Sequence, residues 1–164
     1  KQMKIEQYPT WLVPLDIAKK LKEIGFDKAC VYYTNEQLIA STNSYTYDSL
    51  KTHIYKRNGA LITDMGNHNI FKNRISVPVW DDVFEWFREK KLFSTIDFLC
   101  NSYIYHIKHT ETPFFTSGNY TETYDEVRET LLLKLIAIYK AENQWKSPLL
   151  YHETKPKYLP ALPS

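Results

Sequence analysis

Large apolar side chains recur at helical spacing in the middle of the chain, in the stretch VPVWDDVFEWFREKKLF of residues 77–93. The spacing puts four of them on one face of an α-helix near residues 79–91, and other parts of the protein must cover that face. Acidic residues in the first turn and basic residues in the last turn suit the helix dipole. The four apolar residues are Trp80, Val83, Phe84 and Phe87.

A second helical pattern covers residues 124–142 and is apolar on more than one side. Thr123 and Glu126 have the three-residue spacing of a capping box at a helix start. Because so broad an apolar surface must be enclosed, we expect this helix to form the centre of the core. The inward residues are predicted to be Val127, Leu131, Leu135 and Ile138, and Leu132, Leu133 and Ile136 widen the stripe.

A third, shorter helix is predicted for residues 14–24. Pro14 suits its first turn, and Gly25 suits the left-handed residue that follows a helix end. Ile17 and Leu21 lie on its buried stripe, so the helix is expected to pack on the rest of the domain.

Short β-branched and aromatic runs between the helices predict strands that are joined as hairpins. Asn58-Gly59 is the strongest turn signal, because both positions of a two-residue hairpin turn need positive φ. Asn101 and Ser102 offer a second turn. The predicted strands are residues 29–34, 37–40, 52–57, 60–63, 94–100 and 102–108, with a poorer edge strand within 112–120.

These elements predict an α+β fold, in which about three helices pack on an antiparallel sheet built from hairpins. We expect one domain over residues 1–145, with a subdivision near residue 75 as the alternative. Residues 146–164 form a proline-rich tail, because prolines at 148, 156, 160 and 163 exclude a helix or a central strand. The tail is expected to pack on this chain or on a neighbour.

Composition limits the classes of function. The chain has 21 basic and 19 acidic residues among 164, a formal charge of +2, which argues against a dedicated DNA-binding protein. No apolar run is long enough to span a membrane. Cys30 and Cys100 both sit in apolar runs and are predicted to be buried free thiols. We therefore expect a cytoplasmic protein. Removal of a leader segment before Lys1 is left as an open alternative.

Residues 75–139 carry a pattern that resembles a family of small uncharacterised proteins of bacteria and their phages. That family has Ala-Pro-Thr-Trp-Glu-Glu-Val, two variable residues, Trp-Leu-Arg-Glu-Lys, a hairpin, and a closing helix opened by Tyr-x-Glu-Ala. Val79 replaces the helix-capping Thr and cannot accept a capping hydrogen bond. The resemblance implies the fold and a phage or mobile-element gene, and it adds no catalytic residues. The matching residues are Pro78, Trp80–Val83, Trp86–Lys90, Tyr124, Glu126, Val127 and the run Leu131–Ile138.

Candidate chemistry is sparse. His106 and His109, with Glu111 nearby, are the weak metal-ligand candidates, but on a strand positions 106 and 109 face opposite sides. Paired acids occur at helix starts, where they stabilise the dipole. There is no glycine-rich phosphate loop. We therefore expect no cofactor and assign no catalytic residue.

Tyrosine is the most suggestive feature, with 13 in the chain. Aromatic rings on an exposed sheet face can bind a peptide or protein, pack on a second subunit, or stack on bases. The alternative is that many of the tyrosines pack on the domain's own helices. We expect a non-enzymatic interaction protein that binds a protein partner or itself. The alternatives are a nucleic-acid or nucleotide binder and a small enzyme without a familiar motif. The candidate binding surface comprises Tyr45, Tyr47, Tyr55, Lys56, Arg57, Tyr103, Tyr105 and Tyr158.

Overall fold

The computed structural model describes residues 8–35, 52–55, 59–111 and 115–144. Three α-helices and seven strands are found in these ranges, and every strand pair in them is antiparallel, so the predicted α+β class is confirmed. A 3-10 helix covers His68–Ile70. In chain order the elements are α1 Leu15–Glu23, β1 Cys30–Asn35, β2 Thr52–Tyr55, β3 Gly59–Gly66, β4 Arg74–Val77, α2 Trp80–Glu89, β5 Leu92–Leu99, β6 Ser102–His109, β7 Phe115–Ser117 and α3 Tyr124–Gln144.

The strands divide into two sheets, although the sequence suggested one. The first sheet has the order β2-β3-β1-β4, and the second has the order β5-β6-β7. Helix α2 occupies the chain between β4 and β5. Within the described ranges, the strands after it pair only among themselves. The predicted short edge strand corresponds to β7, which lies at one edge of the second sheet.

Helix α1 ends as its sequence predicts. Gly25 has φ +84°, and its N–H donates to the Lys22 carbonyl at 3.1 Å. The Phe26 N–H donates to the Leu21 carbonyl at 3.0 Å, which completes the pair of bonds typical of a glycine-terminated helix. The Phe26 side chain is buried, so the chain folds back over the helix end. Pro14 takes the capping position just before the helix rather than a place inside it.

The larger apolar core lies between the helices and one face of the second sheet. Helices α2 and α3 supply most of it, as predicted. Helix α1 joins through Ile17 and Leu21, and Val13 joins from the segment just before it. The opposite side of α1 supplies Leu15 and Ala18 to a smaller core on the first sheet. Helix α1 is therefore shared by both cores. The core residues of α2 and α3 are Trp80, Val83, Trp86, Phe87, Val127, Leu131, Leu132, Leu135 and Ile136.

The two longer helices begin differently. No side chain caps α2 at Val79, in agreement with the loss of the capping hydroxyl at that position. At α3 the Thr123 hydroxyl accepts a hydrogen bond from the Glu126 N–H at 3.3 Å, which confirms half of the predicted capping box. None of the helices in the described part of the chain is both long and apolar enough to cross a membrane.

The hairpin turns lie close to their predicted places. Tyr55 pairs with Gly59, so Gly59 lies in strand β3 and not in the turn. Between β5 and β6 the turn consists of Cys100 (φ 51°) and Asn101 (φ 61°), one residue earlier than predicted. This position exposes Cys100 and corrects the prediction of two buried thiols, whereas Cys30 is buried. The predicted strand 37–40 and the proline-rich tail lie outside the described residues.

Candidate functional site

In the described part of the chain, the helices pack on one face of the second sheet and not on the other, on which Ile104 is nevertheless buried. In β6, Tyr103, Tyr105 and Ile107 point to the helices and belong to or contact the larger core, as the alternation predicts. The side chains that alternate with these along β6, and those that the register of β5 and β7 sets beside them, lie on the opposite side of the sheet, which we call the outer face. The outer face consists of Phe93, Thr95, Asp97, Leu99, Ser102, Ile104, His106, Lys108, Phe115 and Ser117.

Tyr105 and Tyr103 are not on this outer face, so their assignment to an exposed binding surface needs correction. Tyr105 is only 6% exposed, and burial raises the pKa of its hydroxyl. Gly118 lies directly against its ring, where an added Cβ would overlap the Tyr105 side chain. Tyr103 is half-buried, with ring centroids of Phe98 and Tyr124 at 4.9 and 5.8 Å. The physical reason is the strand alternation, which turns both rings towards the helices.

The other members of the predicted tyrosine surface are not brought together by the described structure. Tyr45, Tyr47, Lys56, Arg57 and Tyr158 lie outside the described residues. For Tyr55 the structure gives the backbone, which pairs with Gly59 in the first sheet. Their role in binding stays a prediction.

Three large apolar side chains of the outer face are open to solvent. Phe93, Leu99 and Phe115 are 42%, 48% and 62% exposed. Lys108 lies between Phe93 and Phe115 in register and is also exposed. Phe93 and Phe115 therefore form an exposed apolar pair at one end of the outer face, and Leu99 lies at the other end of β5. Exposed apolar groups that lie next to each other are typical of a surface that meets another molecule.

Three polar side chains lie close together across the middle of the outer face. His106 Nδ1 lies 2.8 Å from the Ser117 hydroxyl, and His106 Nε2 lies 3.2 Å from Asp97 Oδ2. In the neutral tautomer with the proton on Nε2, Nδ1 accepts the hydrogen bond from the Ser117 hydroxyl, and Nε2–H is the group nearest the Asp97 carboxylate. The ring also stacks on Phe115 at 5.7 Å between centroids. This arrangement resembles a nucleophile, a base and an orienting carboxylate.

His109 points the other way. It is buried, its Nδ1 accepts a hydrogen bond from the Glu111 N–H at 3.1 Å, and its Nε2 lies 3.9 Å from Glu142 Oε2. His106 and His109 therefore occupy opposite faces and do not share a site. In the ranges that the structure describes, no three His, Cys, Asp or Glu side chains are grouped to hold a metal ion.

His68, a buried histidine in the 3-10 helix beside the first sheet, has structural contacts. His68 stacks on Tyr33 at 3.9 Å, its backbone N–H donates to the Ser76 hydroxyl at 2.9 Å, and its Nε2 lies 2.9 Å from the Asp64 carbonyl. The Arg74 guanidinium covers the other rings of this group, 5.0 Å from Tyr33 and 4.6 Å from Phe71.

Cys30 is unsuited to nucleophilic chemistry. Burial, with a smaller contribution from the Asp82 carboxylate, raises the pKa of its thiol to about 12. A thiol that stays protonated near neutral pH is a poor nucleophile.

Sequence reasoning found His106 but missed its two partners. Once the turn is placed at Cys100 and Asn101, the register of β5 and β6 sets Thr95 directly opposite His106. Asp97 is two residues further along β5 on the same face, so it could have been identified as a diagonal neighbour of His106. Ser117 could not be found in this way, because β7 is three residues long and carries no alternation that fixes its register.

Comparison of the chain with protein-family models, with curated proteins and with solved structures finds no significant match. The family resemblance of residues 75–139 therefore stays a prediction.

Proposed function

We propose that this protein is a non-enzymatic interaction protein that binds a protein partner through the outer face of its three-stranded sheet. The observation that carries the proposal is the exposure of Phe93, Leu99 and Phe115 on the one face of this sheet that the helices leave uncovered. When a second molecule covers such a surface, apolar area is removed from water, and this favours binding. The two free thiols support a reducing compartment, and we place this function in the cytoplasm.

The side chains of the outer face indicate what kind of partner surface would fit it. Lys108 stands between the Phe93 and Phe115 rings, so a cation is flanked by two aromatic groups. A matching protein surface would present an apolar side chain to the rings, next to a carboxylate that faces the ammonium group. Electrostatic complementarity of this kind fixes orientation as well as raising the association rate.

The test is a comparison of captured proteins by mass spectrometry from the native host. The variant F115T/K108E removes a ring and reverses the charge, both at exposed positions. The control M65T/I70T removes two apolar side chains that are 70% and 73% exposed elsewhere. We expect wild type and control to retain a common partner that F115T/K108E loses, and a carboxylate on that partner should be needed for binding.

Equal capture by all three proteins would overturn the proposal, as would loss in the control alone. Circular dichroism and melting curves of each variant exclude unfolding as the cause, because all four positions lie at the surface.

The second candidate function is ester hydrolysis, which the arrangement of Ser117, His106 and Asp97 favours. In this scheme the Ser117 Oγ attacks an ester carbonyl carbon while its proton passes to His106 Nδ1. The bond to the leaving oxygen breaks, and the alcohol departs with that proton. Water then cleaves the acylated serine by the same proton route and restores Ser117. Asp97 would act as a positioning residue for the ring.

Hydrolysis of p-nitrophenyl acetate distinguishes this candidate from binding. S117A should abolish turnover and the acyl adduct that mass spectrometry detects on wild type, and S102A serves as the control serine on the same face. Equal rates for wild type and S117A, without an adduct, would exclude the hydrolase and leave the binding proposal untouched.

A further inference from the structure

Strand β5 is a long edge strand. It spans eight residues, Leu92–Leu99, and pairs with β6 in an unbroken register from Leu92 to Leu99. In the described ranges it has no other strand neighbour, since the sheet order is β5-β6-β7. The opposite edge, β7, has only three residues. An edge strand of this length presents a row of backbone donors and acceptors that another strand can pair with.

The sequence of β5 lacks the usual protection of an edge. LFSTIDFL contains one charged residue, Asp97, and no lysine or proline. Its register with β6 has no bulge. Phe93, Phe98 and Leu99 are exposed along it. Natural sheets usually guard edges with charges, prolines or bulges, and a strand without them is a site of strand addition.

We propose that β5 pairs antiparallel with β5 of a second copy of this chain, about a two-fold axis that passes beside Ile96 and joins the two three-stranded sheets into one. This inference goes beyond the proposed function, because it concerns self-association at the strand edge and not the capture of another protein. In the joined sheet the helices of both copies cover one side, and the two outer faces form one surface on the other.

Side-chain pairing selects this register. A two-fold axis perpendicular to the sheet opposes a residue to its own copy and keeps each face intact. Centred on Ile96, it opposes Phe93 to Leu99 and Thr95 to Asp97 of the second copy. On this face apolar and polar groups each find a match. On the other face Ile96 meets Ile96 at the axis, and Ser94 lies opposite the exposed Phe98.

The neighbouring registers are worse. Centred on Thr95, the axis opposes Phe93 to Asp97, which sets an apolar ring against a carboxylate. Centred on Asp97, it opposes the two Asp97 carboxylates to each other, and like charges directly opposite one another are destabilising. Only the Ile96 register of these three avoids both conflicts.

A register-specific disulfide tests the pairing. Chains carrying T95C and chains carrying D97C are mixed in a C100N background, which removes the exposed native thiol and keeps a residue that tolerates positive φ. Directly opposed residues of antiparallel strands lie about 4.5 to 5.5 Å apart, within reach of a disulfide. We expect mild oxidation to link T95C to D97C chains and to leave either variant alone largely unlinked.

Sedimentation supplies the second measurement. Wild type should sediment as a dimer, and L99K, which sets a charge against Phe93 of the second copy, should sediment as a monomer with an unchanged circular dichroism spectrum. The melting temperature of wild type, but not of L99K, should rise with protein concentration. A monomeric wild type would overturn the proposal. The proposal would also be overturned if F93C chains formed disulfides with D97C chains more readily than T95C chains do. That result would indicate the register centred on Thr95. F115T/K108E lies away from the seam and should remain a dimer, so failure of partner binding and failure of dimerisation are distinguishable.

Discussion

Gly118 is the residue whose missing side chain matters most to the second sheet. Its Cα lies against the buried Tyr105 ring, which the core holds in place. We expect G118A to lower the free energy of unfolding by about 1–3 kcal/mol, the range of overpacked cores. Urea unfolding of G118A, Y105L and the double variant measures this, because Y105L should relieve the overlap and make the two effects less than additive.

G25A is the contrasting control for that prediction. Gly25 has φ +84° and nothing within 4 Å of an added Cβ, so its substitution reports backbone strain without overlap. It should show no coupling to Y105L. Additive effects of G118A and Y105L would contradict the proposed contact.

The buried Cys30 thiol should make stability depend on alkaline pH. Its pKa rises from 9.0 to about 12 on folding, so above pH 9 the unfolded chain loses a proton that the folded chain keeps. Linkage then lowers the stability of the folded state as pH rises from about 9 to 12, by at most about 1.4 kcal/mol per pH unit. Unfolding free energies of wild type and C30A, compared from neutral pH to about pH 10.5, should converge as pH rises. C100N, which removes the exposed thiol, is the control. A difference in unfolding free energy between wild type and C30A that stays constant with pH would refute the prediction.

At the scale of the element, Lys22 attaches α1 to the segment that leads into β4. Its ammonium donates to the carbonyls of Phe71, Lys72 and Arg74 at 2.9, 2.8 and 2.6 Å. K22M keeps most of the side-chain stem and removes all three bonds, so we expect a loss of about 1–2 kcal/mol after discounting for solvent. Hydrogen exchange at residues 71–74 should also accelerate.

K20M is the matched control on the same helix, because Lys20 is exposed. Equal unfolding midpoints for K22M and K20M would show that the three bonds add nothing to stability. If hydrogen exchange at residues 71–74 also accelerated in K20M, the effect would come from a change in α1 as a whole and not from the loss of the three Lys22 hydrogen bonds.

The elements themselves differ in how far the sequence predicts them. The helices were predictable because their spacing and end signals are local, as Thr123 and Gly25 show. The division into two sheets was not, since strand pairing joins distant segments, such as Tyr33 with Ser76. The candidate site has the same limit. His106 was identified from sequence, but Asp97 and Ser117 became its partners only through cross-strand packing.

At the scale of the molecule, α1 holds the two cores together. Ile17 packs into the larger core and Leu15 into the smaller one, from opposite sides of a nine-residue helix. The chain before it adds a bridge from Leu12 to Val79, next to the start of α2. Neither sheet therefore has a core independent of this helix.

We accordingly expect the two sheets to unfold in a single transition. L15A should cost about 2–5 kcal/mol by opening a cavity, and although Leu15 contacts only the smaller core, the loss should appear equally in both sheets. Hydrogen exchange of amides in β1 and β6, followed with urea, measures this. K19A, at an exposed position of α1, is the control. If L15A released β1 while β6 kept its protection, the two sheets would be separate folding units, and α1 would be a linker between domains rather than a shared part of one.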